Sequence, residues 1–318
     1  MTDRNGPSAT TNIDTLAQKA ADQFLKAFGS HPGFRLAHAK GIVCEGVFQP
    51  APGAAELSRA AHFKGGPVPL VARFSNATGL PTIPDNDPYA GPRGFALRFK
   101  LPGGGADIVS NSKRGFIAAT PEGFVGFFDA ALATTPQSPH PTPLESFLAA
   151  HPASAAYAAR TVHIPASYAG LTYFGNNAFI FVDARGRRQA VRYEIEPVAG
   201  EQHIDAGAAA AKPSDYLGQE LRARLSWGPV EFRLRAQLAE SGDPTNDVTR
   251  FWPDERRRVD LGSLRLTSID PKSAESERGL IFDPVNLTEG IELSDDPLPM
   301  FRSKVYSISF AHRRPAGR

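Results

Sequence analysis

The chain carries a single cysteine, Cys44, among 318 residues. An intrachain disulfide is therefore excluded, and nothing in the thiol content asks for an oxidising compartment. Long apolar runs are missing too. No stretch approaches the roughly 20 residues of a transmembrane helix. Residues 1–11 are polar and lack the apolar core of a secretory signal. Cytoplasm is the default compartment, and no membrane partner is expected. Charge of one sign is scarce: 35 Lys and Arg against 33 Asp and Glu leave a formal net charge of +2. That balance offers nucleic acid no electrostatic footprint. The one dense basic run, Arg256 to Arg258, reads as a solvated turn. Several common site signatures are also absent. The eight histidines are dispersed, no glycine-rich loop joins a strand to a helix, and no Gly-x-Ser-x-Gly elbow occurs.

Turn formers are plentiful, with 29 glycines and 28 prolines, which favours strands and loops over a helical bundle. Residues 1–11 read as a disordered tail. Asn12 or Asp14 can cap a helix ending at Gly29. Strands are predicted over 41–48, 68–76, 94–101 and 107–110, separated by turn material at 65–67, 84–92 and 102–105. These gaps leave little room for crossover helices, so the sheet is expected to be antiparallel. Thr120-Pro121-Glu122 opens a helix carrying Phe124, Phe127 and Phe128. Helical pieces follow near 144–150 and 153–163, then strands over 177–182 and 189–196 around a hairpin turn. A helix over 215–225 precedes strands at 230–239 and 258–266, and 304–310 closes the chain as a further strand-like segment. The class is α+β: an antiparallel β-barrel with helices around it.

Six residues stand out for chemistry: Arg35, His38, Arg73, Ser75, Arg302 and Tyr306. His38 and Lys40 alternate with small or apolar neighbours, so this segment reads as extended chain entering a strand, with Arg35 on the other face. A hydrogen-bonded structural histidine is the ordinary reading of His38 taken alone. Arg73 and Ser75 lie in the following strand. In the tail, Arg302 precedes Tyr306 by four residues, which on a helical turn puts both on one side. A guanidinium there favours the phenolate, and a tyrosinate is a strong anionic ligand for ferric iron. Cys44 lies in the apolar run after His38 and reads as a buried small hydrophobe.

Seven segments resemble the haem catalase family, in the family's order. They are Arg-Leu-Ala-His-Ala-Lys-Gly (35–41), Ala-Arg-Phe-Ser-Asn (72–76), Arg-Gly-Phe-Ala-Leu-Arg-Phe (93–99) and Asp-Ile-Val-Ser-Asn-Ser (107–112). Asp-Pro-Thr-Asn-Asp-Val-Thr-Arg-Phe-Trp-Pro (243–253), Phe-Asp-Pro-Val-Asn-Leu (282–287) and Arg-Ser-Lys-Val-Tyr (302–306) complete the set. The chain also resembles the family's truncated branch of catalase-related peroxidases, a catalase core without the C-terminal helical domain. The resemblance implies haem b as cofactor, with residues 12–318 as one haem-binding barrel domain. Tyr306 would be the proximal ligand of ferric iron, kept as tyrosinate by Arg302. His38 would stand on the distal side, its ring held by Ser75, and would move a proton between the two oxygens of peroxide so that water leaves. Arg35, Arg73 and Arg313 would pair with the haem propionates. Phe124 would stack near the haem face and Phe282 would wall the pocket.

Two departures from the family pattern bear on activity. An ungapped alignment from Asp107 puts Ser112 where catalases carry a distal asparagine, with Asn111 one position earlier. The chain also ends twelve residues after Tyr306, where full catalases continue. Both favour a haem peroxidase that reduces hydrogen peroxide or organic hydroperoxides with an unidentified organic electron donor and has weak or no catalase activity. A true minimal catalase and an allene oxide synthase-like rearrangement enzyme are the alternatives within the enzyme class. A haem-binding or storage protein is the alternative outside it. The N-terminal helix admits a homodimer.

Overall fold

The computed structural model describes residues 12–314. The tail expected over 1–11 lies outside them. Eight strands make the body: β1 Gly41–Pro50, β2 Val68–Ser75, β3 Gly94–Leu101, β4 Gly104–Asn111, β5 Tyr173–Val182, β6 Arg188–Pro197, β7 Val230–Leu238 and β8 Arg258–Ile269. Their neighbours run β5-β4-β3-β2-β1-β8-β7-β6, and β6 pairs back onto β5, so the sheet closes into a barrel. Every pairing is antiparallel, as the short turn-rich gaps require. The β3–β4 connection is a tight hairpin in which Leu101 pairs with Gly104. Gly103 takes φ +81° there, a conformation open to glycine at little cost.

Alternation decides which face is buried. Val230, Phe232, Leu234, Ala236 and Leu238 of β7 are buried, while Glu231 and Arg233 are exposed. Aromatic rings fill the barrel: Phe48, Phe74, Phe95, Phe99, Phe181 and Phe232 are all fully buried. The Phe74 and Phe95 rings stack 4.3 Å apart. Burying a large apolar side chain contributes about 1.5–3 kcal/mol, so this interior is a packed core with no room for a large cofactor. A site must therefore lie on the barrel's flank or at its end. Cys44 belongs to this core, and burial pushes its thiol up to about 12. That is the inert role expected of it.

Helices cover the flank. Helix α1 (Ile13–Phe28) is capped by Asn12, whose side chain accepts from the Asp14 N–H, and α2 (Pro121–Ala133) by Thr120. Helix α3 (Tyr216–Trp227) lays Tyr216, Leu217 and Leu221 on the barrel. A short helix α4 (Ser273–Gly279) follows β8, and α5 (Leu298–Arg313) ends the described chain. A second apolar cluster joins Leu16 and Ala20 of α1, Phe124 and Val125 of α2, and Phe301 and Val305 of α5.

Three sequence expectations are corrected. Residues 304–310 are helix, not strand: Phe301, Val305 and Ser309 are buried at four-residue spacing on α5, and that periodicity prevails over the alternation of Tyr306, Ile308 and Phe310. His38 lies in a bend before β1, not in extended chain. The basic run is not simply solvated. Arg256 pairs with Asp243 at 2.7 Å within the loop after β7, and Arg258, the first residue of β8, pairs with Glu194 of β6 at 2.6 Å.

Candidate active site

The bend at His38 is set by long-range pairing. His38 N–H donates to Ala77 O (3.1 Å), Ala39 N–H to Thr78 O (2.9 Å), and Asn76 N–H to Lys40 O (2.9 Å). These bonds hold His38 at φ +56°, the one non-glycine residue with positive φ among the described residues. Such a conformation costs on the order of 1 kcal/mol or more and is found where surrounding structure fixes it. Its ring nitrogen Nδ1 shares a 3.0 Å hydrogen bond with Ser75 Oγ at the end of β2. Gly94, the first residue of β3, pairs with Ser75 on one side and Asn111 on the other. A Cβ at Gly94 would sit 2.5 Å from Ser75 Oγ and 2.9 Å from His38 Nδ1. The ring therefore lies against the bare glycine. Burial above all, then the charges of Arg73, Arg302 and Arg35, push His38 down to about 3, so it is a neutral imidazole near pH 7.

Lys40 turns away from His38. Its ammonium pairs with the fully buried Asp85 at 2.7 Å and donates to Ile83 O and Ser214 O. Asp85 also accepts from Asn76 Nδ2 (2.8 Å) and Leu217 N–H (2.9 Å), and Tyr168 Oη donates to Asn76 Oδ1 (2.8 Å). A satisfied polar network thus anchors the segment that sets the His38 backbone.

Three guanidinium groups gather beside it. Arg73 donates from Nη2 to His38 O (2.8 Å) and from Nε to Glu277 (2.8 Å). Arg35 donates to the other oxygen of Glu277 and to Leu280 O (2.9 Å). Arg313, at the end of α5, donates to Leu280 O and Arg278 O. Burial first, and the Arg73 charge next, pull Arg35 well below the ordinary guanidinium range and Arg313 down to about 10. Among the described residues Glu277 is the one carboxylate bonded to any of the three, and it pairs with Arg35 and Arg73.

Tyr306 is half-buried on α5, and Arg302 one turn earlier donates to its oxygen from Nε (3.1 Å) and Nη2 (3.0 Å). The third nitrogen of Arg302, Nη1, donates to Asn177 of β5, whose amide donates to Asp296 at 2.8 Å. All three guanidinium nitrogens are thereby used, which fixes the fork on the phenol oxygen. Ser309, three residues past Tyr306, accepts from Leu36 N–H at 3.1 Å. This contact ties α5 to the His38 bend.

The remaining expected residues are spread around this centre. Ser112 Oγ accepts from Arg93 N–H at 2.9 Å. Asn111 Oδ1 accepts from Lys113 N–H at 2.8 Å, and its side chain lines a small cavity shared with Asn176, Asn177 and Arg302. Phe124 is buried in the helical layer, its ring stacked on Phe116. Phe282 lies under the Arg98 guanidinium, 5.6 Å from ring centre to charge. Sequence reasoning missed Gly94, Asn177, Asp296 and Glu277. The first lay within a quoted motif, as part of Arg-Gly-Phe, and the others carried no local signal.

Comparison with known proteins identifies the family and the fold. The catalase family model matches residues 31–317. A catalase-related peroxidase of Mycolicibacterium paratuberculosis is 38% identical over 92% of this chain and 92% of its own length. One from Synechococcus elongatus is 34% identical over 92% and 88%. Among solved structures, a bacterial catalase superposes with a TM-score of 0.77 at 22% identity, covering 99% of this chain and 65% of that one. Catalase A of Saccharomyces cerevisiae gives 0.74, and the chain spans 68% of it. The chain belongs to the catalase family, in its short branch of catalase-related peroxidases.

Proposed function

We propose that residues 12–318 form one haem-binding unit that reduces hydrogen peroxide or organic hydroperoxides with an organic electron donor and dismutates peroxide weakly or not at all. The observation that carries this reading is the arginine cluster. Arg73 and Arg313 are buried and Arg35 is half-buried, and Glu277 pairs with only two of the three, which leaves an excess of two positive charges that is costly away from water. Arg35 Nε, Arg73 Nη1 and Arg313 Nη1 have no hydrogen-bond partner among the described residues. A porphyrin with two propionates supplies the missing charge and the acceptors. The single cysteine lies in the barrel core, which supports haem b held without thioether bonds.

The residues fit the group. Tyr306 would hold the iron, with the Arg302 guanidinium favouring the phenolate through two hydrogen bonds. When bound, haem supplies the redox chemistry at its iron. His38 supplies the proton transfer. With Nδ1–H donated to Ser75, Nε2 bears the lone pair and takes a proton from one peroxide oxygen. It returns that proton to the other oxygen, which leaves as water. The depressed basicity of His38 keeps the ring ready at neutral pH. The remaining oxygen atom, with the two-electron oxidation it carries, would be taken up at the bound group; restoring the resting enzyme takes two electrons from the donor and two protons and releases that oxygen as a second water.

Peroxidase chemistry over dismutation is read from Ser112, which an ungapped alignment puts where catalases carry a distal asparagine. Ser112 Oγ is held by the Arg93 N–H and Asn111 Oδ1 by the Lys113 N–H. The test is a paired assay of haem-loaded protein: oxidation of guaiacol with peroxide, and oxygen release with peroxide alone. Donor oxidation with little oxygen supports the proposal, and vigorous oxygen release would overturn it. Ser112→Asn is expected to raise oxygen release; no change would remove Ser112 from the account.

A further inference from the structure

Helix α4 (Ser273–Gly279) buries no side chain completely, yet it is fastened at a charged centre. Glu277 reaches inward from it, its side chain 13% exposed, to two of the three clustered arginines. Its two carboxylate oxygens are divided between them: Oε1 accepts from Arg73 Nε and Oε2 from Arg35 Nη1. The backbone just beyond completes the arrangement, with Leu280 O accepting from Arg35 and Arg313 and Arg278 O from Arg313. Elsewhere the segment is held by polar contacts, Val43 N–H to Ser273 Oγ and Ser276 Oγ to Asp270.

Two readings compete. Glu277 could stand in for a propionate and be displaced when haem binds, or it could remain as a permanent counter-ion. Charge decides between them. With Glu277 in place the cluster carries an excess of two positive charges, which two propionates neutralise. With Glu277 expelled, the buried Arg73 and Arg313 and the half-buried Arg35 would face two carboxylates, and one positive charge would stay unmatched, which is costly. Hydrogen bonding agrees, because the nitrogens bonded to Glu277 are not the ones left open: Arg35 Nε, Arg73 Nη1 and Arg313 Nη1 remain available with Glu277 bound.

We propose that Glu277 is a positioning residue of the propionate pocket, a resident counter-ion that holds Arg35 and Arg73 so that their open N–H groups converge on the haem carboxylates. The inference rests on the haem-binding reading above. Without the carboxylate, Arg35 and Arg73 repel each other and the directional bonds that fix them are lost.

The test is the rate of haem loss from the haem-loaded protein to excess apomyoglobin, followed by absorbance. Glu277→Gln is expected to lose haem at least ten-fold faster than wild type, with its haem-free melting temperature recorded alongside. Glu275→Gln, an exposed neighbour on the same helix, is expected to match wild type. If the Gln variant does not fold, Glu277→Asp keeps the charge one carbon short and is expected to lose haem faster than wild type. A Gln variant that loses haem at the wild-type rate, or more slowly, overturns the proposal; slower loss would identify Glu277 as a competitor of the propionates. A wild-type protein that takes up no haem would instead overturn the haem-binding reading itself.

Discussion

Gly94→Ala tests the His38 pair without touching any functional group. The added Cβ would stand 2.5 Å from Ser75 Oγ and 2.9 Å from His38 Nδ1, where real Cβ contacts essentially never fall below 3.0 Å. Ser75 Oγ must therefore retreat by about 0.5 Å or more, and it is two bonds from the backbone of a strand paired on both sides. The available response is a rotamer change, which breaks the 3.0 Å bond to His38 and frees the ring to turn. Positioned acid–base catalysis is worth about 10²–10⁴ in rate, and a displacement of about 1 Å can cost about 10²-fold. The expected outcome is a fall in kcat for peroxide-dependent guaiacol oxidation of about 100-fold, equivalent to about 2.7 kcal/mol. Haem loading should stay at the wild-type level. Gly218→Ala is the control, since a Cβ there meets nothing within 4 Å on α3, and helix propensity favours the change. Wild-type turnover in a fully loaded Gly94→Ala protein would refute the reasoning.

Further outcomes follow from the buried His62 and from His38. His62 is buried against Phe99, ring centres 4.4 Å apart, neither ring nitrogen has a hydrogen-bond partner, and burial pushes it down to about 3. The unfolded chain binds a proton below about 6.5 while the folded one stays neutral, so stability falls as pH drops from about 6.5 towards 3. At pH 5 the loss from His62 is about 2 kcal/mol. Urea titrations at pH 7 and 5 should show His62→Phe relieving that share, and an unchanged difference would discount it. For His38 the same depression predicts turnover without an inflection near 6.5 between pH 5 and 8; an inflection there that disappears in His38→Gln would contradict a neutral base.

Local patterns were legible and distant ones were not. The Arg302–Tyr306 pair could be read because four-residue spacing on a helix brings side chains together whatever else the chain does. The barrel could be read from alternation and from gaps too short for crossover helices. The His38 conformation could not, because φ +56° is imposed by pairing with residues 77 and 78, some forty positions along the chain. The tail misled as a strand because Tyr306, Ile308 and Phe310 alternate with serines, while the apolar cluster it joins selects the helical face. Glu277 sits on a short polar helix that, as sequence, resembles any solvated surface segment. Only the fold brings it to two arginines more than 200 positions earlier.

The central claim is that Tyr306 holds the iron of a bound haem. Its most direct measurement is the absorption spectrum of haem-loaded wild-type protein beside that of Tyr306→Phe at equal protein concentration. The account predicts a ferric Soret band in wild type, and a shifted or much weakened band once the phenol oxygen is removed. Identical spectra at identical haem loading would contradict it.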